Sequence, residues 1–156
     1  MNYDSTQDTE NHIESVRDKL RIFCHELTGR GAVHDFSKLR SPEKELFDEM
    51  TPILKELTYG SAEYKESLVK LKPALDHHYA VNSHHPEHYP EGGIDHMDLF
   101  DVVEMFCDWM AATERMKTGD IRKSIQINHA RFQISEQLTK IFLNTLKHYE
   151  LSSISG

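Results

Sequence analysis

Apolar residues recur along this chain at steps of three and four, and no stretch settles into the alternation of a strand. Ile13, Val16, Leu20, Phe23 and Leu27 form the first such stripe and predict a helix from about Asn11 to Thr28. Thr28-Gly29-Arg30-Gly31 is the expected stop, glycine being the residue that most readily closes a helix. A segment from Ala32 carries His34-Asp35, and Ser41-Pro42-Glu43 restarts a helix, with serine as cap and proline in the first turn. That helix continues through Leu46, Phe47, Met50, Ile53, Leu54 and Leu57, with a kink or break expected at Pro52. Tyr59-Gly60-Ser61 reads as a turn, and Ser61 as the cap of a helix over about Ala62 to Asn82. Leu68, Leu71, Leu75 and His78 share one face of it, so His78 is expected to point into the core. His77 is rotated by roughly 100° at 3.6 residues per turn, and Pro73 is expected to bend or divide the helix.

Residues 82–90 make a polar, proline-stiffened loop that carries His84 and His85, and Glu91-Gly92-Gly93 extends it. The next helix, about Met97 to Lys117, has two stripes. Leu99, Val102, Val103, Phe106 and Met110 are apolar; Asp101, Glu104, Asp108, Ala112 and Arg115 run beside them. Acids on a face next to the core face are what a metal site between helices needs. Asp120 caps a helix from Ile121 through Phe132, and Ser135 caps a last one to about Tyr149. The fold class expected is all-α, a single helical domain over residues 11–150 behind a flexible lead at 1–10.

Composition narrows the functions. A hydrophobic fraction of 38% and a charged fraction of 28% are those of a soluble globular chain, and no apolar run is long enough to span a membrane. The polar, acidic start lacks the basic and apolar regions of a signal peptide. Cys24 and Cys107 sit within apolar helical patterns and read as small buried hydrophobes in a reducing compartment, so a cytoplasmic location is expected. With no CxxC, a cysteine zinc site is excluded. The net charge of −8 disfavours long nucleic acid, whose phosphates need a basic face. A small anionic substrate stays compatible, because bound divalent ions reverse the local sign of charge. Histidine is the outlying count: eleven in all, five of them between His77 and His88. His25, His88, His96, His129 and His148 read as surface or packing residues.

The chemistry concentrates in Val33-His34-Asp35-Phe36-Ser37-Lys38. Imidazole and carboxylate together suit Mn, Fe, Co, Ni or Zn, whereas oxygen-seeking ions such as Ca would not want this many histidines. Adjacent His and Asp can both ligate when the aspartate bridges two ions.

The order His12, His34-Asp35, Asp108 resembles the H…HD…D pattern of the HD superfamily of metal-dependent phosphohydrolases. More narrowly, the chain is similar to a phage and bacterial family of uncharacterised HD-like proteins. Four stretches carry this likeness: His12-Ile13-x-x-Val16, His34 to Lys38, His77-His78 with Asn82-x-His84-His85-Pro86-Glu87, and Glu104-Met105-x-x-Asp108-Trp109. The resemblance implies an HD-domain-like helical bundle with a metal site between helices. It implies that His12, His34, Asp35 and Asp108 hold a first divalent transition metal. Asp35 would bridge to a second, completed by His78 and by His84 or His85, giving one or two ions per chain. Lys38 would contact phosphate, Arg115 would offset charge, and Glu104 would act as an acceptor behind the ligands or as a general base. The activity implied is hydrolysis of a nucleotide or related small phosphate ester. A di-iron oxygenase of the same superfamily and a non-enzymatic metal-containing phage protein that binds a small ligand are the competing readings. The expected partner is a small anionic substrate; long nucleic acid and membranes are not expected, and a homo-oligomer is compatible with the chain.

Overall fold

Six α-helices and three short 3-10 turns are joined by connections of a few residues in a computed structural model that describes residues 3–57, 61–115 and 119–154. Helix makes up 82% of the structure, and no strand occurs among the described residues, so the class is all-α. The chain divides after His34 into two units.

The first unit is one helix, α1 (Thr6–Val33). It starts five residues before the expected Asn11, inside the stretch read as a flexible lead, and it passes through Gly29 and Gly31 instead of ending there. Two glycines cost a helix about 1 kcal/mol each, too little to stop a segment that contains no proline. None of its residues is buried; Ile13, Val16 and Leu20 are exposed, and so is Cys24, against the expectation of a buried thiol.

The second unit holds α2 (Glu43–Glu56), α3 (Ala62–Val81), α4 (Leu99–Glu114), α5 (Ile121–Phe132) and α6 (Glu136–Ile154). Several boundaries follow from short-range chemistry. Ser61 Oγ accepts from Tyr64 N (3.1 Å) at the head of α3. Asp120 accepts from the first N–H groups of α5, and Ser135 Oγ accepts from Leu138 N at the head of α6. Each of these satisfies an amide that a helix start leaves orphaned. Ser41 does not cap α2; Pro42 holds the cap position and no side chain bonds there. Pro52 and Pro73 lie inside unbroken helices. Both are exposed, and so are Asp48 and Val69 four residues before them. The turns that lose a helical hydrogen bond therefore lie on the exposed faces of these helices, where the defect is tolerated. Tyr59 and Gly60 of the expected turn, and the Lys117 end of the fourth helix, lie outside the described residues.

Two apolar clusters organise this unit. Met50, Leu71 and Ala74 lock α2 against α3. Met105, Phe106, Ile125, Ile134, Phe142 and Leu146 join α4, α5 and α6, with Trp109 packed alongside and the Phe106 and Phe142 rings stacked at 4.7 Å. Leu99, expected on the core face, is exposed, and Cys107 is an exposed free thiol. Met105 takes the place expected of those residues, because the buried face of α4 is rotated toward 105, 106 and 109. The segment that links α3 to α4 carries His84 and His85.

Candidate metal centre

Asp35 adopts a left-handed conformation (φ 57°) directly before the 3-10 turn Phe36–Leu39. Aspartate is among the few non-glycine residues that enter this region at modest cost. The turn aims its carboxylate at α3. Asp35 Oδ1 lies 3.2 Å from His78 Nε2 and 3.5 Å from His84 Nε2. His78 Nε2 is in turn 2.9 Å from His85 Nε2. One atom from each of Asp35, His78, His84 and His85 falls within 4.8 Å of the other three.

These spacings match a small ion. Imidazole nitrogens about 2.1 Å from zinc sit roughly 3.0 Å apart at octahedral angles and roughly 3.4 Å at tetrahedral ones. The observed edges of 2.9, 3.2 and 3.5 Å bracket that range. The residues therefore fit a divalent transition metal, and the donor set of three imidazoles and one carboxylate fits it chemically.

Charge is arranged to match. Burial by itself would raise the Asp35 pKa, but the adjoining His78 and His84 rings and Lys38, whose charge lies beside it, hold it well below the usual carboxylate range. Burial, then the neighbouring His84 and His78, push His85 down to about 3, so it is a neutral imidazole at pH 7. A neutral imidazole is the form that binds metal.

The far side of each ring is also tied. His84 Nδ1 is 3.1 Å from Glu104 Oε1, which makes Glu104 the acceptor behind a ligand that the sequence suggested. His78 Nδ1 is 2.9 Å from Glu43 Oε2, and His77 Nδ1 is 2.7 Å from Glu43 Oε1. Glu43 is fully buried at the first turn of α2. Burial works to raise its pKa, but hydrogen bonds from His77, Ser37 and His78 outweigh that and keep it below the ordinary value. Sequence reading treated Glu43 as a helix start only. The available signal was a carboxylate one residue after a proline and close to the His-Asp pair.

The other suggested residues fall in different places. Asp108 is half-buried and offers a carboxylate oxygen within 4.8 Å of His84. Lys38 Nζ contacts Asp35 Oδ2 at 2.6 Å and lies 5.5 Å over the Phe47 ring. Arg115 is exposed at the end of α4, two turns past Asp108, which is roughly 10 Å along the axis at 1.5 Å per residue. His12 is exposed in the early turns of α1 and belongs to the first unit; His34 ends that helix, half-buried, immediately before Asp35. Within the second unit, Asp35, His78, His84 and His85, the residues expected around the second ion, come together, with Asp108 beside His84.

Asp101 does structural work. It is buried, and it accepts from Ser83 Oγ (2.6 Å) and Tyr89 OH (2.7 Å) while completing the capping box of α4 with Asp98. Ser83 and Tyr89 flank the His84–His85 segment in sequence, and Pro86 between them is buried. His88 Nδ1 bonds Tyr79 O (2.9 Å) and His129 Nδ1 bonds Thr139 Oγ1 (2.9 Å), as suits packing residues.

Over residues 1–150 the chain matches the model of a family described as "Family of unknown function (DUF5662)". No curated protein and no solved structure matches it.

Proposed function

The chain belongs to that family of unknown function, and we propose that it is a metal-dependent phosphohydrolase of HD type acting on a nucleotide or a related small phosphate ester. The observation that carries the reading is the convergence of Asp35 Oδ1 with the Nε2 atoms of His78, His84 and His85. A divalent ion held by these four residues would supply Lewis acidity and a water of lowered pKa. Asp35 carries the one negative charge of the set and would offset part of the ion's charge. Glu43 and Glu104 grip the outer nitrogens of His78 and His84 and fix the ring planes. Lys38, with its side chain 36% exposed and paired to Asp35, would meet a phosphate oxygen arriving from solvent. Glu104, whose side chain is 12% exposed and bonded to His84, acts as the acceptor behind that ring.

One observation supports a second reading, a metal-containing protein that binds a small ligand without turning it over. Four protein ligands saturate a tetrahedral ion and leave no open position. The same four leave two positions free on an octahedral ion such as Mn, Fe, Co or Ni.

The test is elemental analysis of protein purified without chelators, wild type beside Asp35→Ala, followed by a nucleotide and phosphate-ester panel. Near-stoichiometric Mn, Co, Ni or Fe, lost in the variant, with phosphate release on the panel, is the expected result. Stoichiometric zinc with no turnover favours the second reading. Abundant iron with oxygen uptake and no phosphate release moves the assignment to a di-iron oxygenase. A wild type that takes up none of these ions after reloading overturns all three.

A further inference from the structure

The surroundings of His78 fix where its hydrogen resides. Three polar atoms approach Nδ1: Glu43 Oε2 at 2.9 Å, Asn82 Nδ2 at 3.0 Å and Ser37 Oγ at 3.1 Å. The Ser37 hydroxyl has one hydrogen, and it goes to Glu43 Oε2 (2.9 Å). Asn82 Nδ2 has two, and they go to Ser37 Oγ (2.9 Å) and to the His78 carbonyl (2.8 Å). A carbonyl oxygen only accepts, so the Asn82 atom facing it must be the amide nitrogen. An ionised carboxylate has no hydrogen to give. Every hydrogen on the neighbours is therefore committed elsewhere, and the only one able to lie between Nδ1 and Glu43 belongs to the imidazole.

We propose that Glu43, supported by Ser37 and Asn82, is the positioning residue that holds the hydrogen of His78 on Nδ1 and so leaves Nε2 as an electron-pair donor facing Asp35 and His85. The consequence for an ion rests on the metal-centre reading above; the proton position does not. The site is built to keep this arrangement. Glu43 is 0% exposed and His78 1%, so no alternative partner in solvent competes. The second carboxylate oxygen is held by His77 at 2.7 Å, which stops Glu43 from rotating away. A ligating histidine whose other nitrogen donates to a carboxylate is fixed in tautomer and in orientation, and loss of such a partner typically weakens metal binding 10–100-fold.

Long-range proton–nitrogen spectra of the full chain, labelled at histidine nitrogens and recorded metal-free at pH 8, read the tautomer directly. A zinc chloride titration of the same sample reads affinity. His78 is expected to carry its hydrogen on Nδ1 with and without zinc. In Glu43→Gln, the tautomer distribution shifts toward Nε2–H and zinc binds about 10–100-fold more weakly. An Nε2–H tautomer in the metal-free wild type overturns the proposal, and so does a folded Glu43→Gln with unchanged tautomer and unchanged affinity. A wild type that binds no zinc yet holds the hydrogen on Nδ1 defeats the metal reading and supports the proton assignment. Should Glu43→Gln lose its helicity, the wild-type spectrum alone decides.

Discussion

Asp35 Oδ1 and His78 Nε2 stand 3.2 Å apart, one atom delivered by a left-handed backbone and the other by the buried face of α3. Asparagine shares the tolerance of aspartate for positive φ but carries no charge. Asp35→Asn should therefore keep the far-ultraviolet circular dichroism of the wild type and lose its bound metal. Full metal content in that variant, measured by plasma emission, would remove Asp35 from the ligand set.

Metal removal gives a second expectation. An ion that binds the folded chain alone stabilises it by about 2.7 kcal/mol at a hundred times its Kd. EDTA should lower the Tm of the wild type by several degrees, and added metal should restore it. The Tm of Asp35→Asn should not respond to either. Equal responses in the two proteins would mean that the ion acts somewhere else.

Glu104→Ala takes away the acceptor behind His84 Nδ1, whose ring is 3% exposed. A buried N–H left without its partner costs about 1–3 kcal/mol, and metal affinity should fall about 10–100-fold. Denaturant titration and metal titration check the two parts separately. Asp108→Ala, on the same helix face and with a carboxylate oxygen near His84, should lower metal affinity as well.

These side chains show what was legible in the sequence. The caps at Ser61, Asp120 and Ser135 were readable because a cap bonds amides two or three residues away. His78 was readable because it continues the step of Leu71 and Leu75. Asp101 and Glu104 belong to one acidic stripe in the sequence and do different jobs in the fold. What separates them is the residue each meets: Tyr89 and Ser83 for Asp101, His84 for Glu104. Glu43 was missed for the same reason, since its partners His77 and His78 lie a whole helix further on. The end of α1 was misplaced because glycine weakens a helix without forbidding it, so Gly29 and Gly31 promised a stop that the chain does not make.

Burial and Asp101 push the phenol of Tyr89 up to about 12. An unfolded tyrosine ionises near pH 10. Between those values the folded chain keeps a proton that the unfolded chain has released, so the stabilisation is complete below pH 10 and declines as pH climbs toward 12. Tyr89→Phe should cost about 1–2 kcal/mol at pH 7, and the gap between variant and wild type should narrow through that alkaline window. A gap independent of pH, in urea titrations at pH 8 and pH 11, would detach the effect from the hydroxyl.

The cluster between α4 and α6 permits a paired test of packing. Ile125 is 0% exposed and Ile127, two residues along α5, is 64% exposed. Ile125→Ala should cost about 2–5 kcal/mol, and Ile127→Ala should stay within about 0.5 kcal/mol of wild type. Similar losses at both positions would mean that the outer face of α5 is covered in solution.

Asp101 has a kinetic corollary. By gripping Ser83 and Tyr89 at once it closes the segment between them into a ring, with His84 and His85 inside. The freedom of those two imidazoles is then surrendered when the chain folds, before any ion arrives. Ion capture should accordingly run at a rate set by how fast the ion sheds its own water, with nickel slow and zinc fast. Cutting the ring with Asp101→Asn would make both ions wait for the same loop.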